Sequence, residues 1–325
     1  MDVGRDYGGY LEWETYSGHC YYPEALAFDS ERSALEYFCR VMHIHKIHIP
    51  YYLCSAFDRV ISRLHLSVER YNIGSDFRPL FEKEVHDGEL FVLVNYLGQL
   101  TEAEIQELQE RYQHILVDNT QAFFCPPVSN IPTIYSCRKY FGVPDGSYLF
   151  MEQPDWDLYF ALPKETALEN LRHLVGRFEQ DAQGFYEDFQ NHENFVYRDG
   201  CKRISRFSEN LLRSFDYKRI VEARHRNQEI LHKVLRDFNQ LQFDVNCSTF
   251  MYPFLIKEGE YLKQELIRRK IYVPTLWKEA LDFPELNRFA SHLVKDLVLL
   301  PIDQRYDEKD MQYISDIVLQ IMEDR

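Results

Sequence analysis

The sequence predicts an α/β protein: a mostly parallel central sheet flanked by helices, followed by a smaller α+β unit. Three observations predict it. Strand-like and helix-like segments alternate across residues 30–124. Two runs in that region, LFVLVNYLG at 90–98 and HILVDNTQAFF at 114–124, are apolar without alternation, as strands buried on both faces are. The last part of the chain mixes short β-like runs with amphipathic helices.

Each element has a local reason. SERSALEYFCRVM at 30–42 reads as a helix, with Ser30 as N-cap and Leu35, Phe38 and Met42 at helical spacing. KIHIPYYL is a short strand, and SAFDRVISRLHL is a second helix that Ser55 can cap. SVERYNI is the next strand, and TEAEIQELQERYQ is an amphipathic helix with an acidic first turn. Residues 164–197 are polar, helix-prone and aromatic-rich, and 208–238 form a long helix or a pair of helices. FMYPFLI and LVLLPI are strands; GEYLKQELIRRKIYV and DEKDMQYISDIVLQIMEDR carry helical patterns. A boundary near 230 divides a large domain, 1–230, from a small C-terminal α+β domain, 231–325; no repeat or Gly/Ser linker marks it.

The totals exclude some classes. A net charge of −15 disfavours non-specific nucleic-acid binding, which depends on Lys and Arg neutralising phosphates. Seven cysteines without a C-x-x-C pair read as reduced thiols, hence a cytoplasmic protein. No signal peptide or membrane span is expected. His43, His45 and His48 alternate, but they enter a strand without a cysteine or carboxylate cluster, so no metal site is expected.

The chemistry gathers at strand ends. Asp118 closes an apolar strand, and in parallel sheets ligands bind beyond the carboxyl ends. An Asp there also caps ordinary turns, and both readings are open for it alone. Asn119, Thr120 and Gln121 add polar groups; Ser136 and Lys139 follow the next strand. A carboxylate, an amide, a hydroxyl and a lysine suit pyridoxal phosphate. The carboxylate keeps a proton on the ring nitrogen, the amide meets the phenolic oxygen, the hydroxyl meets the phosphate, and the lysine forms the imine. Burial beside other cations makes such a lysine nucleophilic.

At these residues the chain resembles the DegT/DnrJ/EryC1/StrS sugar aminotransferases, of the fold-type-I, aspartate-aminotransferase-like class. LVDNTQAFF resembles their strand ending in E-D-x-A-[QH]-A, and YSCRKYFGVPDGSYL their S-F-x-x-x-K…G-[DE]-G-G segment. DSERSALEYF, IPYYLCSAFDRVI, SENLLRSFDYKRIVEARHRN and LVLLPIDQRYDEKDMQYISDIV resemble further segments, in the same order. The resemblance implies a pyridoxal-phosphate enzyme that moves an amino group from an amino acid such as glutamate to a keto-sugar, nucleotide-linked. It implies a Schiff base on Lys139, which then shuttles the proton. It implies Asp118 on the pyridine nitrogen, Gln121 on the phenolic oxygen, and Ser136 on the phosphate beside the helix start at Arg32 and Ser33. A homodimer with shared active sites follows from the same resemblance.

The departures are specific. Glu31 stands where the family has a small residue and Arg32 where it has Thr, so Arg32 can supply a phosphate contact. Cys54 stands at the ring-stacking aromatic, with Tyr52 as its substitute. Arg138 and Arg206 are either phosphate contacts or ion-paired surface groups, Tyr96 is a possible pocket wall, and Trp277 either packs or walls the substrate mouth. A second reading is a cofactor-binding relative with a regulatory or scaffold role and no transaminase activity. Sugar dehydration is disfavoured by Lys139, because the resembling dehydratases carry histidine there.

Overall fold

The computed structural model describes residues 7–245 and 249–324, so Cys247 lies outside the described residues. The first half runs β1 (Leu26–Phe28), α1 (Glu31–Val41), β2 (Lys46–Pro50), α2 (Ala56–Leu64), β3 (Ser67–Ile73), β4 (Pro79–Leu80), β5 (Glu89–Val94), α3 (Glu102–Tyr112), β6 (Ile115–Asp118), β7 (Thr133–Ser136) and β8 (Ser147–Phe150). These strands form one eight-stranded sheet in the order β1-β8-β7-β6-β5-β2-β3-β4. Strands β7, β6, β5, β2 and β3 are parallel, whereas β8 is antiparallel to both β7 and β1. The strand alternation in sequence therefore becomes the mostly parallel sheet that it predicts.

The caps and patterns explain the elements. The Ser30 hydroxyl accepts from the Ser33 N–H at 3.3 Å and starts α1. Thr101 and Glu104 form a reciprocal capping box on α3. Ser55 stands at the start of α2 but makes no side-chain cap bond. All six residues of β5 and all four of β6 are buried, which is why their runs lack alternation.

Both apolar runs leave the sheet earlier than the sequence suggests. β5 stops at Val94, and Tyr96–Gly98 is a 3-10 turn with Leu97 at φ 57°. The Asn95 side chain draws the chain out: its Oδ1 accepts from Leu100 N, and its Nδ2 donates to Asn119 Oδ1, both at 2.9 Å. β6 stops at Asp118 because the Asp118 carboxylate accepts from Thr120 N at 2.9 Å, closing a side-chain turn.

After the sheet come α4 (Trp156–Ala161), α5 (Arg172–Glu179), α6 (Tyr186–Phe195), α7 (Arg206–Leu212) and α8 (Tyr217–Leu235). The C-terminal part holds β9 (Tyr252–Leu255), α9 (Gly259–Arg268), α10 (Arg288–Asp296), β10 (Leu297–Leu300) and α11 (Glu308–Glu323), with β9 and β10 antiparallel. Residue 230 lies inside α8. Ile220 of that helix packs into an aromatic cluster around Phe123 and Tyr140, while Leu231 and Leu235 belong to the C-terminal core with Phe254, Val298 and Met311. One continuous helix thus serves two cores. The six described cysteines are free thiols. Among the described residues, no helix is long and apolar enough to cross a membrane.

The buried sheet centre sets a stability prediction. Leu116 on β6 is fully buried, and Leu116→Ala is expected to cost about 2–5 kcal/mol in denaturant unfolding. Val68→Ala, at an exposed position of β3, is expected to stay within about 0.5 kcal/mol of wild type.

Candidate active site

Because β2, β5, β6 and β7 are parallel, their carboxyl ends share one edge of the sheet. Tyr52 and Cys54 follow β2, Tyr96 follows β5, Asp118 ends β6, and Ser136 ends β7. The start of α1 joins this edge through register: Phe28 of β1 and Ser136 of β7 both pair with Ser147 of β8. Chain order reverses between β2 and β5, which is where a ligand crevice forms in such sheets.

Lys139 is the last residue of a 3-10 turn, Cys137–Lys139, that directly follows β7. Its Nζ donates to Thr120 Oγ1 at 3.3 Å. Thr120 in turn gives its N–H to Asp118, so one threonine links the lysine to the strand-end carboxylate. Asp118 is buried. Burial raises its carboxyl above the ordinary value, while the Lys139 charge and the Thr120 bonds act against that rise. Lys139 is exposed rather than buried; the cations expected beside it are present, but the shielding is not, because the turn carries it past the strand end. Gln121 is buried, its Oε1 accepts from Leu97 N at 3.1 Å, and its Nε2 has no partner.

A second cluster sits at the start of α1. Burial works to raise the Glu31 carboxyl, but Arg32, Lys139 and Arg138 outweigh it and hold the group at about 2. The carboxylate also accepts from its own backbone N–H, and Ser136 Oγ lies 3.5 Å from its Oε2. Arg32 is buried, and its Nε has no hydrogen-bond partner. Arg138 pairs with Glu193 of α6. Its charge reaches the stacked His173–His192 pair, with ring centroids 4.7 Å apart. Burial first, and Arg138 second, push His173 down to about 4 and His192 to about 3.

Other sequence candidates are placed differently. The Ser33 hydroxyl accepts from Lys202 N at 3.2 Å and also bonds Asp29, so it is used inside the fold. The Cys54 thiol accepts from Ala56 N at 3.4 Å; burial raises it, and Lys139, Glu31 and Arg32 are near enough to act on it. Tyr52 is buried and stacked on Tyr96, ring centroids 5.6 Å apart, with Trp277 edge-on at 4.5 Å. Tyr96 donates to Tyr52 O at 2.5 Å, and the Asp118 charge adds to the burial that raises its phenol. Trp277 is therefore part of a packed aromatic layer. Arg206 is exposed and pairs with Glu12 at 3.8 Å. His48 is buried in the sheet and bonds Glu89 at 2.7 Å. The sequence reading assigned no role to Thr120, Glu193 or the histidine pair. Only Thr120 carried a signal, its place between Asp118 and Gln121.

The Glu31 cluster gives a pH prediction. A carboxyl lowered from 4.5 to about 2 on folding stabilises the fold above the higher value and ceases to as pH falls toward the lower. Wild type is expected to exceed Glu31→Gln by about 1–2 kcal/mol near neutral pH, allowing for partial exposure. Denaturant melts should show the gap narrowing below about pH 5 and closing as pH falls through about 2. A gap independent of pH contradicts the assignment.

No family model matches the chain, and no curated protein matches it. Solved structures do. A DegT DnrJ EryC1 StrS aminotransferase from Brucella abortus superposes with a TM-score of 0.61 at 14% identity, covering 91% of this chain and 85% of that one. The PLP form of the sugar aminotransferase Spr1654 from Streptococcus pneumoniae, described as putative, gives 0.64 at 13% identity, with 93% and 88% covered. PseC from Helicobacter pylori, an aminotransferase involved in the biosynthesis of pseudoaminic acid, gives 0.62 at 14% identity, with 93% and 87% covered. At these identities the likeness is one of architecture: the chain has the fold of the DegT/DnrJ/EryC1/StrS aminotransferases.

Proposed function

We propose that the chain is a pyridoxal-phosphate-dependent aminotransferase that moves an amino group from an amino acid, glutamate as the expected donor, to a nucleotide-linked keto-sugar. One observation carries this reading. Lys139 and Asp118 stand at the ends of neighbouring parallel strands and are joined through Thr120. The side chains also fit the cofactor. Gln121 Nε2 and Arg32 Nε are buried polar atoms without partners in the protein, and a phenolic oxygen and a phosphate would satisfy them.

When bound, pyridoxal phosphate supplies a carbonyl that links to amines and a ring that takes up electron density. Lys139 would hold the carbonyl carbon and afterwards move the proton between donor and cofactor carbons. Its exposure leaves the amine accessible to both substrates. Asp118 would hold the ring nitrogen protonated; burial raises its carboxyl, and the Lys139 charge and the Thr120 bonds oppose that rise. Gln121 would orient the ring through the phenolic oxygen. Ser136 and Arg32 would hold the phosphate, and Cys54 and Tyr52 would border the ring. Ser33 would contribute through its place in the first turn of α1, its hydroxyl being engaged. We further propose a cytoplasmic homodimer with shared sites, and a large cofactor-binding domain, 1–230, ahead of a small domain, 231–325.

The Glu31 carboxylate favours one second reading, a relative that keeps the fold and lacks amino transfer. The test separates them. Purified protein is mixed with pyridoxal phosphate, reduced with borohydride and mapped by peptide mass. The expected result is a pyridoxyl group on Lys139, absent in Lys139→Ala, together with amino exchange from glutamate that falls by about 10²–10⁴-fold or more in Lys139→Ala. A label on Lys139 without exchange from any amino donor supports the second reading. The same label in Lys139→Ala contradicts both.

A further inference from the structure

We propose that the Glu31 carboxylate is a built-in counter-ion of the anion site at the start of α1, and that a phosphate-bearing ligand must displace it to bind. For the ligand's identity the inference rests on the pyridoxal-phosphate reading; for the site itself it rests on the cluster alone.

The cluster has the parts of an anion site. α1 spans eleven residues, and its first N–H groups have no carbonyl within the helix to bond. Ser30 satisfies Ser33 N with its hydroxyl and Ala34 N with its carbonyl. Glu31 N–H is taken by the Glu31 carboxylate itself. Around that carboxylate stand Ser136 Oγ at 3.5 Å and the charges of Arg32, Lys139 and Arg138. Arg32 is the independent observation. It is 4% exposed, and its Nε lacks a hydrogen-bond partner. A buried guanidinium with an unused donor points to an acceptor that the folded chain does not supply.

The same carboxylate explains how the cations coexist. Arg138 has Glu193 as its own partner. Glu31 offsets the charges of Arg32 and Lys139, and Asp118 also acts on Lys139. A phosphate carries a charge of about −1.5 to −2 at neutral pH. Placed among these groups with Glu31 still present, it would meet a like charge at short range. Glu31 is the first residue of α1 and only half-buried, so its side chain can turn to solvent without disturbing the core. The cost of that turn subtracts from ligand affinity, as any state that must first be vacated does.

The test uses the full chain and three probes: pyridoxal phosphate, pyridoxal without phosphate, and inorganic phosphate. In Glu31→Gln, pyridoxal phosphate is expected to bind at least about tenfold tighter than in wild type, and pyridoxal unchanged within about twofold. Inorganic phosphate should raise the melting temperature of Glu31→Gln more than that of wild type. Equal or weaker pyridoxal phosphate binding, or an equal gain for pyridoxal, overturns the inference. If neither protein forms a pyridoxyl adduct on Lys139, the proposed function fails, and the inorganic phosphate shift alone decides the inference. If Glu31→Gln does not fold, Glu31→Asp decides. It keeps the charge but draws it back from Ser136, so a smaller gain in phosphate affinity is expected and no gain overturns the inference.

Discussion

The charge balance at one edge of the sheet is the constraint on which the site depends. Three cations, Arg32, Arg138 and Lys139, are gathered where β7 ends and α1 begins. Three carboxylates answer them: Glu31, Glu193 and Asp118. Parallel pairing makes this gathering unavoidable. It places Asp118 beside the β7 strand, and the antiparallel β8 between β7 and β1 sets Ser136 level with Phe28, the last residue of β1 before α1. Charges brought together in this way have to be neutralised by each other or by a ligand.

Behind the charged edge lies a rigid backing. Tyr52, Tyr96 and Trp277 pack ring against ring, and Asn95 ties the β5 turn to the β6 turn through Asn119. Asn119 Nδ2 donates to the Tyr135 hydroxyl at 3.2 Å, and Tyr135 passes the contact on to Cys125 O at 2.9 Å. These bonds link the turns at the strand ends to one another. Positioned groups of this kind need no rearrangement when charge develops in a reaction.

Much of this was legible in the sequence. α1 follows from its Ser30 cap, β3 lies where SVERYNI places a strand, and α3 follows from the amphipathic pattern and acidic first turn of TEAEIQELQERYQ. The carboxyl-end position of Asp118 followed from the apolar run that precedes it. The extent of β5 and β6 did not, because Asn95 and Asp118 divert the chain with side-chain bonds to Leu100 and Thr120 that an apolar run does not reveal. The direction of Glu31 was also beyond reach. A residue at a helix start can face inward or outward, and only the fold brings Lys139 and Arg138, more than a hundred positions away, to draw it in. Glu193 lay in the region where the sequence offered composition and no motif.

A crystal structure of the protein grown with pyridoxal phosphate tests the central claim most directly. The account predicts continuous density from Lys139 Nζ into a ring whose nitrogen lies within hydrogen-bonding distance of the Asp118 carboxylate. Density for the ring elsewhere, or a free Lys139 still bonded to Thr120 at saturating cofactor, would contradict it.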